Sequence, residues 1–361
     1  MLESRSHQPQ TTKELEDPLV ESHREPTLAD VAQAAGVSLT TVSRVLNNRG
    51  YLSQETRERV AEAIAQLNYR PNQIARALHG KSTQSIGLIV PTVALPFFGE
   101  LTEHVEDFLA DRGYRTFVCN SMGKADRELE YLDLLVSHRV DGIISSAHND
   151  GLADYSSIHL PVVSVDRELS PTVPNVRCDN EAGGRIAAEY LLKRGARRPA
   201  LLTSRTGIHN LREKGYRQVL QQAGIEPVVL TVDFNTPNAE RPALIRERLE
   251  LVVDDVDAVF ATDDLAAAQV VEWAAERGLR IPDDFKVVGF DGTIAMQHAL
   301  PSLTTIQQPI AKLARAAVDL LLNRIESIAS TSSGDDRSSM SRKHLRAPSP
   351  MEVKLLIGRT A

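Results

Sequence analysis

Apolar residues recur at helical spacing near the start of the chain. Thr27 is suited to cap a helix, and Gly36 is suited to end it. One apolar face lies between them, formed by Leu28, Val31, Ala32 and Ala35. After a tight turn at residues 36–38 a second short face follows, formed by Val42, Val45 and Leu46. The pattern predicts two helices packed across a turn, although periodicity alone fits a small helical bundle equally well.

The outward positions of the second predicted helix carry side chains of the kind that contact DNA bases. Small hydrogen-bonding groups stand near its start, and Arg44 can pair with the edge of a guanine. The outward set is Leu39, Thr40, Ser43, Arg44 and Asn47. A helix-turn-helix that enters a major groove is therefore the first functional hypothesis.

From Ser85 onward, short apolar strands alternate with segments of helical length. The predicted strands are SIGLIV, RTFVCN, DGIISS, PVVSVD, PALLTS, PVVLTV, DAVFAT and KVVGFD. Such alternation predicts an α/β fold in which parallel sheets are covered by helices on both faces. The strands are too many for one sheet of ordinary size, so we expect two similar lobes.

Polar and aromatic residues follow several of these strands. Ligands of parallel α/β folds bind beyond the carboxyl ends of the strands, so these positions are candidates for a binding site. Carboxylates and an arginine can bond hydroxyl groups, and an aromatic face can cover a sugar ring or stack on a base. Each residue taken alone is more often core or a helix cap. The candidates are Pro96, Phe97, Phe98, Asp166, Arg167, Asp263, Asp264, Asp291 and Gln308.

The composition is that of a globular protein with more than one domain. The chain has 361 residues, 42% of them hydrophobic, and two cysteines. Cys119 and Cys178 lack partners at metal-binding spacing, so we expect buried thiols and neither a disulfide nor a metal site. No apolar run is long enough to span a bilayer, and the first 25 residues are too polar for a secretory signal. We therefore expect a cytoplasmic protein without a membrane role.

The net charge of -7 is unevenly distributed along the chain. Residues 26–81 carry seven basic and four acidic side chains, whereas residues 1–25 carry three basic and six acidic ones. A basic segment attached to an acidic body is expected when only one domain faces phosphates. The acidic leader lacks apolar periodicity, and we expect it to be disordered.

The amino-acid sequence of residues 27–78 also resembles that of a known family. ADVAQAAGVSLTTVSRVLNN, followed by RPNQIARAL, closely resembles the DNA-binding headpiece of the lactose and purine repressor family. The resemblance implies a third helix over residues 53–68, capped by Ser53 and stopped before Pro71. It also implies a hinge helix over residues 72–78, which forms when two copies meet in the minor groove of a pseudo-palindromic operator.

The same resemblance assigns roles to individual positions. Leu39, Thr40 and Arg44 would contact base edges, and other polar residues of the same helix would hold phosphates. Leu78 would be an apolar wedge between the central base pairs, with an ordinary packing role between domains as the alternative. The residues implied to contact DNA are Leu39, Thr40, Thr41, Ser43, Arg44, Asn47, Asn72, Ala75 and Leu78.

The rest of the chain resembles the effector domain of this family, which shares its fold with periplasmic sugar-binding proteins. The similar segments include IGLIVPTVALPFFGEL, VSVDRE, CDNEAGG, FATDDLAAAQV and VVGFDGTIAMQHALPSLTTIQQP. The resemblance implies a small-molecule effector in the cleft between two lobes, and no cofactor. The residues implied to contact the effector are Phe97, Phe98, Asp166, Arg167, Arg212, Asp263, Asp291 and Gln308.

A neutral sugar is the expected effector, with a pentose such as ribose as first choice. Asp166, Asp263 and Asp291 make the cleft poor for an anionic ligand unless Arg167 and Arg212 both point inward, so we expect neutral polyols in preference to sugar phosphates. Three positions depart from the family pattern and change the available donors. Leu95 and Asp263 stand where an asparagine is common, and Gly292 stands where a second aspartate is common.

Other hypotheses differ in ligand or in protein class. A nucleobase or nucleoside is the alternative effector, because Phe98 could stack on a base. A sugar-binding receptor without a DNA role is a remote alternative, since it would need an export signal and no headpiece. An enzyme is not expected: a nicotinamide dehydrogenase would need GxGxxG after the first strand, and residues 91–99 lack it.

These patterns divide the chain into four parts. We expect a disordered leader over residues 1–25, a headpiece over 26–71, and a hinge helix with linker over 72–81. A two-lobed effector-binding and dimerisation domain follows over residues 82–361, with a flexible Ser-rich loop at 329–343. The whole is predicted to be a repressor that binds double-stranded operator DNA as a homodimer.

Overall fold

The computed structural model describes residues 24–46, 50–69, 82–147, 149, 155, 158–332 and 347–361. The chain divides into two compact units, residues 1–75 and residues 76–361. The first unit is helical, and the second contains both sheets.

In its described part, the first unit is a cluster of three helices around a small apolar core. Their bounds are α1 Leu28–Ala34, α2 Leu39–Leu46 and α3 Gln54–Gln66. Val31, Val42 and Val60, one from each helix, are fully buried. Ser53 caps α3, as predicted, because its side chain accepts a hydrogen bond from the N–H of Thr56.

The turn between α1 and α2 has the geometry that the sequence predicts. Thr27 and Asp30 form a capping box at the start of α1, in which the Asp30 carboxylate accepts from the Thr27 N–H at 2.7 Å. Gly36 follows α1 with a φ of +64°, a conformation that favours glycine. The chain therefore reverses at the predicted residue.

The second unit is built on two sheets. The strands are β1 Ser85–Val90, β2 Arg115–Asn120, β3 Gly142–Ser145, β4 Val162–Val165, β5 Asn175–Val176, β6 Pro199–Thr203, β7 Val228–Thr231, β8 Ala258–Ala261, β9 Lys286–Asp291, β10 Thr304–Gln307 and β11 Lys354–Leu356. The first sheet has the order β2-β1-β3-β4-β5, and the second has the order β11-β10-β9-β8-β6-β7. Neighbouring strands are parallel except β10 and β11, which are antiparallel. The predicted strands and the two lobes are confirmed.

Helices cover both sheets. They are α4 Pro96–Ala110, α5 Ala125–Ser137, α6 Asn180–Lys193, α7 Leu211–Gln222, α8 Arg241–Glu250, α9 Asp264–Glu276, α10 Ile294–Ala299 and α11 Ile310–Ser332. Helix α11 packs on α4 and on the first sheet, although it follows the second sheet in sequence. We call the strands β1–β5 with α4, α5 and α11 the first lobe, and the strands β6–β11 with α6–α10 the second lobe.

The chain passes between the lobes at neighbouring places. Cys178 and Met351 form a parallel bridge, and the N–H of Asp179 donates to the Met351 carbonyl at 2.7 Å. After β10, the Gln308 side chain accepts a hydrogen bond from the Cys178 thiol at 3.0 Å. These bonds hold the passages side by side. We call this region the hinge between the lobes, which is separate from the hinge helix predicted over residues 72–78.

The structure corrects one predicted boundary. Helix α11 continues through residue 332, so the flexible loop predicted over residues 329–343 is wrong for residues 329–332. The Ser330 hydroxyl donates to the carbonyl of Glu326 at 2.8 Å, which accommodates a serine inside a helix. Residues 333–343 of the predicted loop lie outside the described residues.

Both cysteines are buried free thiols, as expected. Burial raises the pKa of Cys119 to about 11, so its thiol stays protonated at neutral pH. Within the described ranges, none of the helices is long and apolar enough to cross a membrane.

Candidate functional site

Helix α2 presents part of the predicted DNA-binding face to solvent. Leu39, Thr40 and Arg44 are exposed, with 51% of Leu39 accessible, while Val42 on the opposite side is buried. Thr41 is half-buried, and its N–H donates to the hydroxyl of Ser38 at 3.1 Å. Thr41 therefore helps to start the helix.

The remaining predicted DNA contacts lie partly on α2 and partly outside the described residues. Ser43 is half-buried on α2 and engaged in an interaction within the protein. Asn47, Asn72, Ala75 and Leu78 lie outside the described residues, as does the leader over residues 1–23.

In the second unit, a cavity of about 580 Å³ lies at the carboxyl ends of strands from both lobes. Its volume falls in the range of ~300–1,000 Å³ that is typical of small-molecule clefts. Most of the predicted ligand-binding residues line it, namely Phe97, Phe98, Asp166, Arg167, Arg212, Asp263 and Asp291. Strand topology therefore brings residues far apart in sequence to one cleft.

Arg212, in the first turn of α7, is the most connected charged group of the cleft. Its Nε donates to Asn180 Oδ1 at 2.7 Å, and its Nη1 donates to the Thr262 carbonyl at 2.5 Å. The guanidinium lies 3.7 Å from the centre of the Phe290 ring, a cation-π contact. These contacts from α6, β8 and β9 hold the guanidinium in one orientation.

Two carboxylates from opposite lobes flank this guanidinium. Asp166 Oδ1 lies 3.7 Å from Arg212 Nη2, and Asp291 Oδ1 lies 3.7 Å from Arg212 Nη1. Both distances exceed that of a direct hydrogen bond, which is about 2.9 Å. A ligand hydroxyl can therefore bond the arginine and a carboxylate together.

Backbone conformation aims both carboxylates. Asp166 and Asp291 have φ values of +68° and +112°, a range of backbone conformation that residues other than glycine rarely adopt. Such strain persists only where the surrounding structure enforces it, and it is common at binding sites. The unusual conformation of both residues therefore agrees with a binding site at these two strand ends.

Burial raises the pKa of two cleft carboxyl groups of the second lobe, Asp291 and Asp264. Burial raises the pKa of Asp291 well above its usual range, and the nearby Arg212 opposes that shift. Burial also raises the pKa of Asp264 to about 7, although the Thr305 hydroxyl and the Gly292 N–H donate to its carboxylate. Both carboxyl groups are therefore shifted toward the neutral form, in which they can also donate a hydrogen bond.

Gln308, predicted to contact the ligand, lies behind the cleft wall. Its side chain is 3% exposed, and its Nε2 donates to Asp291 Oδ1 at 2.8 Å. Gln308 begins the passage from β10 to the first lobe, which turns its amide toward Asp291 and Cys178. In this structure Gln308 positions Asp291 and is not among the residues that line the cavity, so its ligand contact stays a prediction.

Asp263 combines the role of a helix cap with a place in the cleft wall. Its Oδ1 accepts from the N–H of Ala266 at 2.7 Å and starts α9. Its Oδ2 accepts from Arg241 Nη2 at 3.0 Å. Both Asp263 and Arg241 line the cavity.

The aromatic residues form a small cluster at the cleft. Phe97 and Phe98 are each 4% exposed and meet edge to face, with ring centres 5.1 Å apart. Phe98 also meets Phe234 of the second lobe edge to face at 6.2 Å. The first-lobe rings present little surface to the cavity.

Comparison with known proteins agrees with both units. The model of the lacI family of bacterial regulatory proteins matches residues 27–72, and that of a periplasmic binding protein-like domain matches residues 188–340. A sucrose operon repressor of Streptococcus mutans is 40% identical over 306 residues, which cover 83% of this chain and 92% of that protein. A ribose operon repressor of Halalkalibacterium halodurans is 37% identical over 302 residues, covering 83% and 90%.

The chain belongs to the lacI family of bacterial regulatory proteins. Among solved structures, the lac repressor dimer bound to operator and the anti-inducer ONPF matches with a TM-score of 0.76 and 27% identity, over 93% of this chain and 99% of that one. As a lacI-family protein, the chain is a DNA-binding transcriptional repressor and not an enzyme. The described residues contain no group of histidine, cysteine and acidic side chains that could hold a metal ion.

Some cleft residues of this lacI-family repressor are not among those predicted from the sequence. Phe234 follows the predicted strand PVVLTV closely, so the rule of inspecting strand ends could have found it. Asp264 is a strand-end candidate beside Asp263, but the family resemblance does not imply that it contacts the effector. Asn180 and Arg241 begin helices, and no local pattern marks them as cleft residues.

The presence of glycine at position 292, where the family pattern has an aspartate, has a steric explanation. The φ of Gly292 is +58°, and a Cβ there would lie 2.7 Å from the Cα of Gln307. The N–H of Gly292 donates to Asp264 Oδ2 at 2.7 Å. This repressor therefore has no room for an aspartate at this position.

Proposed function

We propose that this repressor binds a pseudo-palindromic operator as a homodimer and that a neutral sugar in the cleft controls the binding. The observation that carries the ligand proposal is the placement of Arg212 between Asp166 and Asp291, which belong to opposite lobes. A ligand that bonds all three favours one arrangement of the lobes over another.

The charge of the cleft supports a neutral, hydroxyl-rich ligand. Arg212 faces two carboxylates, and Arg241 is already paired with Asp263. An anionic ligand would add a further negative charge to this setting, at a high desolvation cost. Neutral hydroxyls can donate to the carboxylates and accept from the guanidinium groups.

A pentose such as ribose is one candidate within this class. Arg212, Asn180, Asp166 and Asp291 together offer donors and acceptors for the hydroxyls of one ring. The names of the relatives, a sucrose and a ribose operon repressor, also support a sugar. A nucleobase is less favoured, because Phe98 exposes little of its ring face for stacking.

The DNA-binding face is proposed to be α2 with the hinge segment that follows the headpiece. The exposed side chains of Leu39, Thr40 and Arg44 support base contacts in a major groove. The lac repressor, a structural relative, is a dimer bound to operator in its solved structure. A two-fold dimer would present two copies of α2 to two half-sites, hence the pseudo-palindrome. The proposed boundaries are residues 26–71, 72–81 and 82–361 for headpiece, hinge and effector domain.

Thermal unfolding with and without sugars tests the ligand proposal. A sugar at about 100 times its Kd stabilises the native state by ~2.7 kcal/mol, which raises Tm by an easily measured amount. Pentoses, hexoses, disaccharides and nucleosides would be screened against the full chain. We expect at least one neutral sugar to raise the Tm.

Variants locate the binding site. Arg212→Ala and Asp291→Ala should both abolish the Tm response to that sugar. Lys214→Ala is the matched control, because Lys214 lies on the same helix as Arg212 and pairs with Glu181 outside the cleft lining. Silence across all sugars, or an undiminished response in both cleft variants, would refute the proposal.

A further inference from the structure

The cleft wall of the second lobe is a row of strand ends longer than one sugar ring. Strands β9, β8, β6 and β7 are consecutive neighbours in the sheet. Since neighbouring strands lie about 4.8 Å apart, the row from the end of β9 to the end of β7 measures about 14 Å. A single sugar ring, whose bonds are about 1.5 Å long, covers only part of this row.

One end of the row holds the cluster already described. We call Arg212, Asn180, Asp166 and Asp291 the inner site, which lies where β9 and the neighbouring β8 end. Its contacts come from both lobes, and Gln308 fixes Asp291 from behind. The inner site has the hydrogen-bonding groups for one ring.

A second polar group occupies the row further along. We call Arg241, Asp263 and Phe234 the outer site; all three line the cavity. Arg241 is the first residue of α8, the helix after β7, and its Nη2 donates to Asp263 Oδ2 at the end of β8. This ion pair therefore links the helix after β7 to the end of β8.

The ion pair of the outer site is partly buried and held in place. The Arg241 side chain is 14% exposed and the Asp263 side chain 30% exposed. Asp263 is anchored in addition by capping α9. A guanidinium fixed by one carboxylate keeps further N–H donors, and the pair adds no net charge. Such a pair suits neutral hydroxyl groups.

We propose that the effector is a neutral disaccharide, with one ring in the inner site and the second ring on Arg241 and Asp263. This inference rests on the proposed sugar-controlled function. Phe234, which lines the same cavity, supplies an apolar surface for the C–H face of the second ring. A nucleoside fits the outer site less well, because Phe234 and Phe98 meet at 82° and form no parallel slot for a base.

Isothermal titration of the full chain tests this assignment. The probes are the disaccharides sucrose, maltose and trehalose, their single rings glucose and fructose, and ribose and adenosine. Sucrose comes first because it names the operon of the Streptococcus mutans relative. We expect one disaccharide to bind at least about 10-fold more tightly than either of its own rings and than ribose.

Arg241 is then the specificity-determining residue. Arg241→Ala should weaken the disaccharide by about 10- to 100-fold, the cost of lost hydrogen bonds to a charged group, and should change single-ring affinities less than about 2-fold. Arg246→Ala is the matched control, because Arg246 lies on the same helix and pairs with Glu276 away from the cavity lining. It should leave every affinity unchanged.

The outcomes separate the two proposals. A single-ring sugar or adenosine that binds as tightly as the best disaccharide overturns the two-ring assignment. Equal weakening of all sugars by Arg241→Ala overturns it too, since that result would indicate a general structural effect. If no sugar binds the wild-type chain, or if Arg212→Ala leaves binding intact, the sugar-controlled function itself fails, and the inference falls with it.

Discussion

At the scale of single residues, the cleft depends on which charges are buried and what fixes them. Arg212 is held by Asn180, Thr262 and the ring of Phe290, so its orientation costs the ligand nothing on binding. Asp264 is different, because it is 2% exposed and its carboxylate accepts hydrogen bonds from Thr305 and Gly292 of the same lobe. Its hydrogen bonds connect Gly292 and Thr305 to the start of α9 and so stabilise the cleft wall.

The pH dependence of stability should report Asp264. Its folded pKa of about 7 lies above the ordinary 3.8, so the neutral acid is favoured by folding. Its contribution to stability is fully present below pH 3.8 and is lost as the pH rises through 7. The free energy of unfolding of the wild type should therefore fall between pH 5 and pH 8, and Asp264→Asn should show a smaller fall.

Denaturation by urea at each pH, followed by fluorescence, measures this difference. Trp273, the single tryptophan of the chain, is 1% exposed and reports on the second lobe. An asparagine can still accept from Gly292 and donate to the Thr305 hydroxyl, so the variant should fold. Asp255→Asn, at an exposed position, is the control and should follow the wild type. Identical pH slopes for wild type and Asp264→Asn would contradict the prediction.

At the scale of elements, the close crossing of α6 and α7 decides where the cleft arginine stands. A Cβ on Gly184 would lie 2.0 Å from the Arg212 carbonyl, and one on Gly215 would lie 2.0 Å from the Glu181 carbonyl. Glycine at both positions lets the two helix backbones touch. This approach brings Arg212 of α7 within reach of Asn180 at the start of α6.

Gly184→Ala should therefore destabilise the second unit and weaken sugar binding together. Backbone atoms cannot move aside as a flexible side chain can, so we expect a cost of ~1–3 kcal/mol in the free energy of unfolding. Urea denaturation gives the stability, and titration with the sugar found in the screen gives the affinity.

Gly99→Ala is the matched control for this substitution. Gly99 also lies in a helix, but a Cβ there would meet only the Val93 carbonyl at an ordinary 3.5 Å. Since alanine favours helices over glycine, the control should be neutral or stabilising by up to ~1 kcal/mol. If Gly184→Ala proved as harmless as Gly99→Ala, the close crossing would not be needed.

At the scale of the whole molecule, the proposed DNA-binding segment differs from the rest of the chain in charge, and the helical unit differs from the two-lobed unit in fold. Residues 26–81 carry the excess of basic side chains, whereas the chain as a whole has a net charge of -7. The helical unit suits phosphates and base edges, and the two-lobed unit suits a buried small molecule. Regulation requires that ligand binding in one unit changes DNA affinity in the other.

The coupling predicts two separable effects on operator affinity. The sugar found in the screen should change the affinity of the wild type for its operator by roughly 5- to 150-fold. Arg44→Ala should weaken operator binding by ~1–3 kcal/mol and leave the Kd for the sugar unchanged. Fluorescence anisotropy at one fixed salt concentration measures the operator affinity of the wild type, with and without sugar, and of Arg44→Ala. The operator is first selected from a random DNA pool.

Arg59→Ala controls for the loss of charge alone. Arg59 is exposed on α3 of the same unit, so its removal lowers the basic charge equally. Its effect on operator affinity should be smaller and similar for all DNA sequences. Equal losses for both variants would place specific base contacts elsewhere than on α2.

The sequence by itself determined the elements and the identity of the family. Each apolar run had to be buried, so SIGLIV and KVVGFD coincide with β1 and β9, and the strand-end rule located Asp166 and Asp291 at the cleft. Tertiary structure alone decided which polar residues meet. Arg241 and Asn180 reach the cleft through the order of strands and the crossing of helices, whereas Gln308 turns behind Asp291 at the hinge. Local patterns fix burial and periodicity, but the side chains that converge depend on distances between elements remote in the chain, and no local pattern encodes those distances.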